Sequence, residues 1–291
     1  MSNTYEIIEK KGLKVISLKP ICETGLAEAF CTVRDNPFGN SKGTCGPFSC
    51  NIYKPYGLED GIKDFKLLCD SIGVDHKRVV TNRLTAFTNI VRKIDDSSLK
   101  NYDILDEKAA PRADGLITDR KGIVLMNYQA DCQIIVFLDP GTVGSSVYRQ
   151  HDPVVGSIHV SWKGSLNGII DNEVKAFVDD YGTDINNLVA VLLPSISQEF
   201  YSISPYRVAE FESAGFSCFI DKDSYNEPHV DLTGINHSIL LCLGLNDKNI
   251  HLMNDLCTYR DEKLFHSYRR GPINEHGVHL NGMNACFIRL L

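Results

Sequence analysis

The chain has 291 residues, 43% hydrophobic and 23% charged, with a formal net charge of −7. That length and apolar fraction support a sizeable buried core. The acidic balance, with a sequence pI of about 5.7, excludes a chain-wide basic footprint for nucleic acid or an anionic membrane, leaving only local clusters such as Arg269-Arg270 as anion contacts.

The opening segment reads as two short strands, "EIIE" and "LKVISL". Residues 34–57 are rich in Gly, Pro, Asn and Ser, which predicts a long irregular loop of the kind that carries function. Residues 58–72 place Leu58, Ile62, Phe65, Leu68 and Cys69 on one helical face. Residues 122–139 are two apolar runs broken at Gln129–Asp131, which predicts strand, bend and strand. Residues 140–153 read as a turn or surface insertion, and "VVGSIHVSW" alternates as a strand. The spacing of Leu166, Ile169, Ile170, Val174, Phe177, Val178 and Tyr181 predicts one helix over four turns, with Gly182 as its C-cap. "LVAVLLPSI" reads as a buried strand. Ser204-Pro205 is an N-cap and N1 pair opening a helix to about Ala214. "FSCFI" reads as a strand, Asp231 to Gly244 as a capped helix, "NIHLMND" as a strand, "DEKLFHSYR" as a short helix and "ACFIRLL" as the last strand. Strands and helices that interleave in this way favour an α/β or α+β fold.

Ten cysteines occur, with no CxxC pair, which disfavours zinc ribbons and thioredoxin-type motifs. The first residues lack the apolar core of a signal peptide, and runs such as "IIVFL" are too short to span a bilayer. The expectation is a soluble cytoplasmic protein with reduced thiols and with neither nucleic acid nor membrane as a partner.

Three stretches could carry chemistry. In "HVSWKGS" a strand feeds a helix through Lys163, Gly164 and Ser165. Free N–H groups at a helix start, the helix dipole and a lysine charge attract a phosphate; the alternative is a plain corner with a solvated lysine. Asp131-Cys132 sits at the bend between two strands. A neighbouring carboxylate does not activate a thiol, whereas a bound cation holds it deprotonated; the alternative is a structural cysteine. "CTYRDEKLFHSYRRGP" groups Arg269 and Arg270 with aromatics, which suits an anion or a ring, or else forms a solvated face.

In order along the chain these stretches resemble the laccase-domain (YfiH-like) family, also called multicopper polyphenol oxidoreductase-like. "GPFSCNIYKPYG" looks like its early Gly-Pro loop, and "RADGLITDRKGIVLMNYQADCQIIVFLDP" like its Asp-Gly-Leu-x-Thr…Ala-Asp-Cys motif. "VGSIHVSWKGSLNGI" is similar to its His-Ala-Gly-Trp-Arg-Gly-Thr motif, and "CTYRDEKLFHSYRRGP" to its Cys-Thr…Ser-Tyr-Arg-Arg ending. The resemblance covers residues 26–291 and implies an α+β fold: a layered α/β/β/α sandwich with mixed sheets in a single domain, to which residues 1–25 add strands. It implies a metal, usually zinc, on one Cys and two His, and purine nucleoside chemistry: phosphorolysis of adenosine, inosine or methylthioadenosine, and adenosine deamination.

Carried over by position, the metal ligands are Cys132 and His159. The family's other histidine position is Phe87 here, so His151 and Asp131 stand as candidates for a third ligand. The family's Gly-Trp-Arg-Gly is Ser161-Trp162-Lys163-Gly164, its Cys-Cys-Tyr is Glu199-Phe200-Tyr201, and its Thr-Gly-Arg is Asn281-Gly282-Met283. The leading expectation is a nucleoside-processing enzyme with Cys132, His159 and Asp131 catalytic. Lys163, Gly164, Ser165, Arg269 and Arg270 would hold substrate or phosphate. The alternative is a relative that binds a nucleoside or sugar nucleotide without turnover. A copper phenol oxidase is disfavoured by the lack of HxH pairs.

Overall fold

A computed structural model describes residues 4–53, 58–84, 89–100, 102–141 and 151–291. Phe87 and most of the 140–153 insertion lie outside the described residues. The first half runs β1 (Tyr5–Lys10), β2 (Leu13–Leu18), α1 (Lys19–Cys22), β3 (Ala27–Thr32), α2 (Leu58–Ile72), β4 (Val79–Thr81), β5 (Val91–Lys93), β6 (Gly115–Thr118), β7 (Val124–Gln129) and β8 (Gln133–Asp139). The second half runs β9 (Val154–Val160), α3 (Trp162–Asn167), α4 (Ile169–Ala176), β10 (Val189–Leu192), α5 (Pro205–Ser213), β11 (Ile220–Asp221), β12 (His229–Val230), α6 (Leu232–Cys242), β13 (Ile250–Leu252) and β14 (Asn284–Leu290).

Two six-stranded mixed sheets result, ordered β1-β2-β3-β14-β7-β4 and β13-β10-β8-β9-β6-β5. Their inner faces share a core in which Ile16, Ala29, Cys31, Leu125 and Ile288 of the first sheet meet Leu116, Ile134, Val136 and Val191 of the second. The outer face of the first sheet packs on α2 through Phe65, Leu68 and Cys69. The outer face of the second packs on α4 and α6 through Ile169, Ile170, Val174 and Leu240. Each sheet is therefore buried on both faces, which is why its central strands read as continuous apolar runs rather than as alternation. The result is the expected α/β/β/α sandwich. Within residues 34–57 the described part is irregular apart from one 3-10 turn, Gly43–Cys45. Asp64 of α2 pins it by accepting from the backbone N–H groups of Asn40, Ser41 and Ser49 at 2.6, 3.2 and 3.0 Å.

Three elements differ from their sequence reading. The helix expected from Leu166 is broken at Gly168, whose φ of 78° ends α3 and starts α4, and it finishes as a π turn over Phe177–Tyr181 before Gly182 at φ 76°. "FSCFI" is a 3-10 turn followed by a two-residue strand, because its amides close local turns such as Phe219 N–H to the Phe216 carbonyl at 3.0 Å. "DEKLFHSYR" forms turns, not a helix. Its amides are drawn to distant side chains: His266 N–H donates to Asn284 Oδ1 at 2.8 Å and Arg269 N–H to Asp131 Oδ2 at 2.6 Å. Among the described residues no helix is long and apolar enough to cross a membrane.

Candidate functional site

The chain passes from one sheet to the other at the corner between β7 and β8. Asp131 takes a φ of 89° there, a left-handed conformation that Asp tolerates better than most residues. Its carboxylate accepts from Thr258 Oγ1 at 2.7 Å, Ser267 Oγ at 2.9 Å and the Arg269 N–H at 2.6 Å. Its own N–H donates to Gln129 Oε1 at 3.1 Å, and its carbonyl accepts from the Ile196 N–H at 3.0 Å. Asp131 is thus nearly buried and fully bonded. It fixes a corner that turns Cys132 into a cavity.

His159 reaches the same cavity from β9. The β8–β9 register pairs Ile134 with His159 and Gln133 with Val160, so the residue before β8 lies beside the imidazole. His159 N–H donates to the Asp114 carbonyl at 2.8 Å, and the Asp114 carboxylate stands 3.8 Å from His159 Nδ1. Burial is the largest influence on the imidazole and pulls its pKa down. The Cys132 and Asp114 groups beside it outweigh that and push it up to about 9.

The cavity holds about 500 Å³ and is walled mainly by apolar and aromatic groups, including Tyr128, Trp162, Ile196, Tyr201 and Met283. Such a size and lining suit a small organic ligand. Two guanidinium groups enter it. Arg207, from the first turn of α5, lies 4.4 Å from the Trp162 ring centre. Arg269 lies 5.6 Å from the Tyr201 ring centre and donates to Ser202 Oγ at 2.8 Å and the Ser202 carbonyl at 3.1 Å. Burial pushes the Tyr201 phenol up to about 12, with a further contribution from Cys132.

Of the residues singled out in the sequence, Cys132, His159, Asp131 and Arg269 come together. Gly164 and Ser165 do not line the cavity. Ser161 caps α3, its Oγ accepting from Gly164 N–H at 3.1 Å. Ser165 Oγ turns to Asn236 Oδ1 at 2.7 Å. At this helix start the Gly164 N–H is therefore taken by the Ser161 cap and the Ser165 hydroxyl by Asn236. Lys163 lies 5.3 Å from the Trp162 ring centre and likewise does not line the cavity. Arg270 is spent on the backbone carbonyls of Thr258, Tyr259 and Phe265. Arg207 was not apparent from its sequence. Its one signal is a cation in the first turn of a helix, where the dipole disfavours positive charge.

Zinc needs four donors in a structural site and three protein donors plus water in a catalytic one. Among the described residues no three His, Cys, Asp or Glu side chains gather where a metal could sit. His151 is ruled out as a third ligand, because its Nε2 lies 3.4 Å from Asp139 at the far end of β8. The Asp131 carboxylate is already committed to its three donors. The donor set of Cys132 and His159 does not fit zinc.

The comparisons with known proteins agree with this architecture. Purine nucleoside phosphorylase LACC1 of Mus musculus is 29% identical over 174 residues, 59% of this chain but only 38% of that longer protein. The purine nucleoside phosphorylase of Bacteroides thetaiotaomicron is 25% identical, with 83% of this chain and 85% of that one covered. Adenosine deaminase RL5, from an unknown prokaryotic organism, is 26% identical over 71% of this chain and 82% of its own length. The solved structure of the hypothetical protein YfiH from Bacillus licheniformis shares the fold with a TM-score of 0.80, at 22% identity over 99% of this chain and 100% of that one. The sequence profile described as multi-copper polyphenol oxidoreductase laccase matches residues 39–290. It runs from the loop after β3 through the Cys132 corner and the His159 strand to the end of β14, and the chain belongs to that family.

Proposed function

We propose that the cavity binds a purine nucleoside together with phosphate and breaks the glycosidic bond by phosphorolysis. One observation carries the reading: a Cys–His pair and two guanidinium groups share one aromatic-walled cavity. Aromatic faces suit a purine ring, and arginine forks suit phosphate. Arg207 and Arg269 hold the anion and offset its charge as it approaches the ribose. A phosphate oxygen forms a bond to C1′ while the C1′–N9 bond breaks and its electron pair moves onto the purine. The departing purine takes a proton, and His159 is the group placed to donate it. The Asp114 carboxylate, 3.8 Å from Nδ1, favours the protonated imidazole that makes this donation, and Asp131 holds the corner that presents Cys132. No step passes through a metal, because the donor set does not fit one. Relatives named as purine nucleoside phosphorylases support the assignment.

The two-donor set also favours a second reading, in which the pocket binds a nucleoside without turnover. Chromatography of adenosine, inosine and methylthioadenosine incubated with protein and phosphate tests the first reading. Free base is expected from each, with ribose 1-phosphate from adenosine or inosine and 5-methylthioribose 1-phosphate from methylthioadenosine. A thermal shift with nucleoside but no product from any of the three would establish the second reading instead.

A further inference from the structure

We infer that this pocket phosphorolyses a purine nucleoside but does not deaminate it, because the chain cannot assemble a metal-activated water. The inference rests on the phosphorolysis reading above and adds a reaction boundary to it.

The donor count is complete. Residues 1–3, 54–57, 85–88, 101 and 142–150 contain no His, Cys, Asp or Glu. Every residue of those four types therefore lies among the described ones, where no metal-holding group of three exists. The acids closest to the pair are engaged. Asp131 accepts from Thr258, Ser267 and Arg269, and Asp114 flanks His159 Nδ1 at 3.8 Å. Asp131 could not turn to Cys132 without giving up what holds the corner, and Asp114 does not complete a metal-holding group of three with the pair.

The two reactions make different demands. Deamination adds water to C6 of adenine: a C–O bond forms, the C6–N bond breaks and ammonia leaves with the electron pair. The water must first lose a proton, and a metal does this by lowering its pKa from about 15.7 to about 7. Phosphorolysis needs no such water. Its nucleophile is phosphate, already an anion at neutral pH, which needs only to be held against C1′ with its charge offset. Arg207 and Arg269 supply that.

The test uses the full chain, dialysed against equimolar zinc and then assayed with adenosine and phosphate. The expected result is less than about a tenth of a zinc per chain, adenine and ribose 1-phosphate in equal amounts, and no inosine, hypoxanthine or ammonia. Chelator should change the rate by less than about twofold. Phe87→His, which restores the third donor at the position the family resemblance assigns, should raise zinc content to about one per chain. Adding Cys132→Ala to that variant should lower it again. Two results overturn the inference: release of inosine or ammonia by the wild-type chain, or about one zinc per wild-type chain that Cys132→Ala removes. If neither adenine nor inosine forms, the phosphorolysis reading fails separately, and the wild-type zinc count still decides whether the pair holds a metal.

Discussion

Glu173 offers a prediction that can be worked through from the packing. It is fully buried on α4, and neither carboxyl oxygen has a hydrogen-bond partner. It lies over a notch left by two glycines of the second sheet. A Cβ added at Gly115 would come within 2.6 Å of Oε2, and one at Gly156 would collide with Oε1 and approach the Phe177 ring at 2.8 Å. Burial alone holds the carboxyl well above the ordinary carboxylate range. Glu173→Met keeps most of the volume and removes both orphaned oxygens. A buried unsatisfied polar group costs about 1–3 kcal/mol, and a volume-conserving swap adds little cavity or strain energy. The variant should therefore be more stable by about 1–3 kcal/mol, which at roughly 2 °C per kcal/mol for a chain of this size raises Tm by about 2–6 °C. The gain should depend on pH. The folded-state pKa lies above the unfolded value of about 4.3, so the folded state binds the proton more tightly. The stability this provides is full below the unfolded value and is lost as pH rises toward the folded one. Thermal melts from pH 5 to pH 8 should show the Met variant's advantage growing. A variant less stable at every pH, or an advantage that does not change with pH, would refute the reasoning and point to a buried water or ion paired with the carboxylate.

Arg207→Ala should lower kcat/KM for phosphorolysis at subsaturating phosphate by about 10- to 100-fold, since a charge-assisted hydrogen bond contributes about 1.5–3 kcal/mol; steady-state kinetics against phosphate concentration would show it, and unchanged kinetics would remove Arg207 from the anion site. Asp131→Ala should destabilise the protein by about 3–5 kcal/mol, because three donors lose their acceptor and a left-handed backbone loses a residue that tolerates it. Asp131→Asn should lose less, as read by denaturant midpoints.

The layers were legible where burial and periodicity agreed. Phe65, Leu68 and Cys69 mark the core face of α2, and the apolar runs at 124–129 and 133–139 are two strands because both faces of each sheet are covered. Caps were legible because their chemistry is local: Ser204 accepts from Arg207 N–H at 3.4 Å and Asp231 from Gly234 N–H at 2.9 Å. The segment 261–269 misled because its amides answer to Asp131 and Asn284, far away in sequence. The site divides along the same line. Cys132 and His159 sit at strand ends inside quotable motifs. Arg207 joins them only through the tertiary placement of α5, and Lys163, Gly164 and Ser165 do not line the cavity that Cys132 and His159 share.

The crossing at residues 129–132 has a consequence for cohesion. Tyr128 and Gln129 belong to the first sheet, Cys132 adjoins the second and His159 belongs to it, yet all four face one cavity. A molecule seated there touches both halves of the sandwich at the point where the chain stitches them together. Occupancy therefore acts as a cross-brace: the free energy of binding adds directly to the work of prying the layers apart.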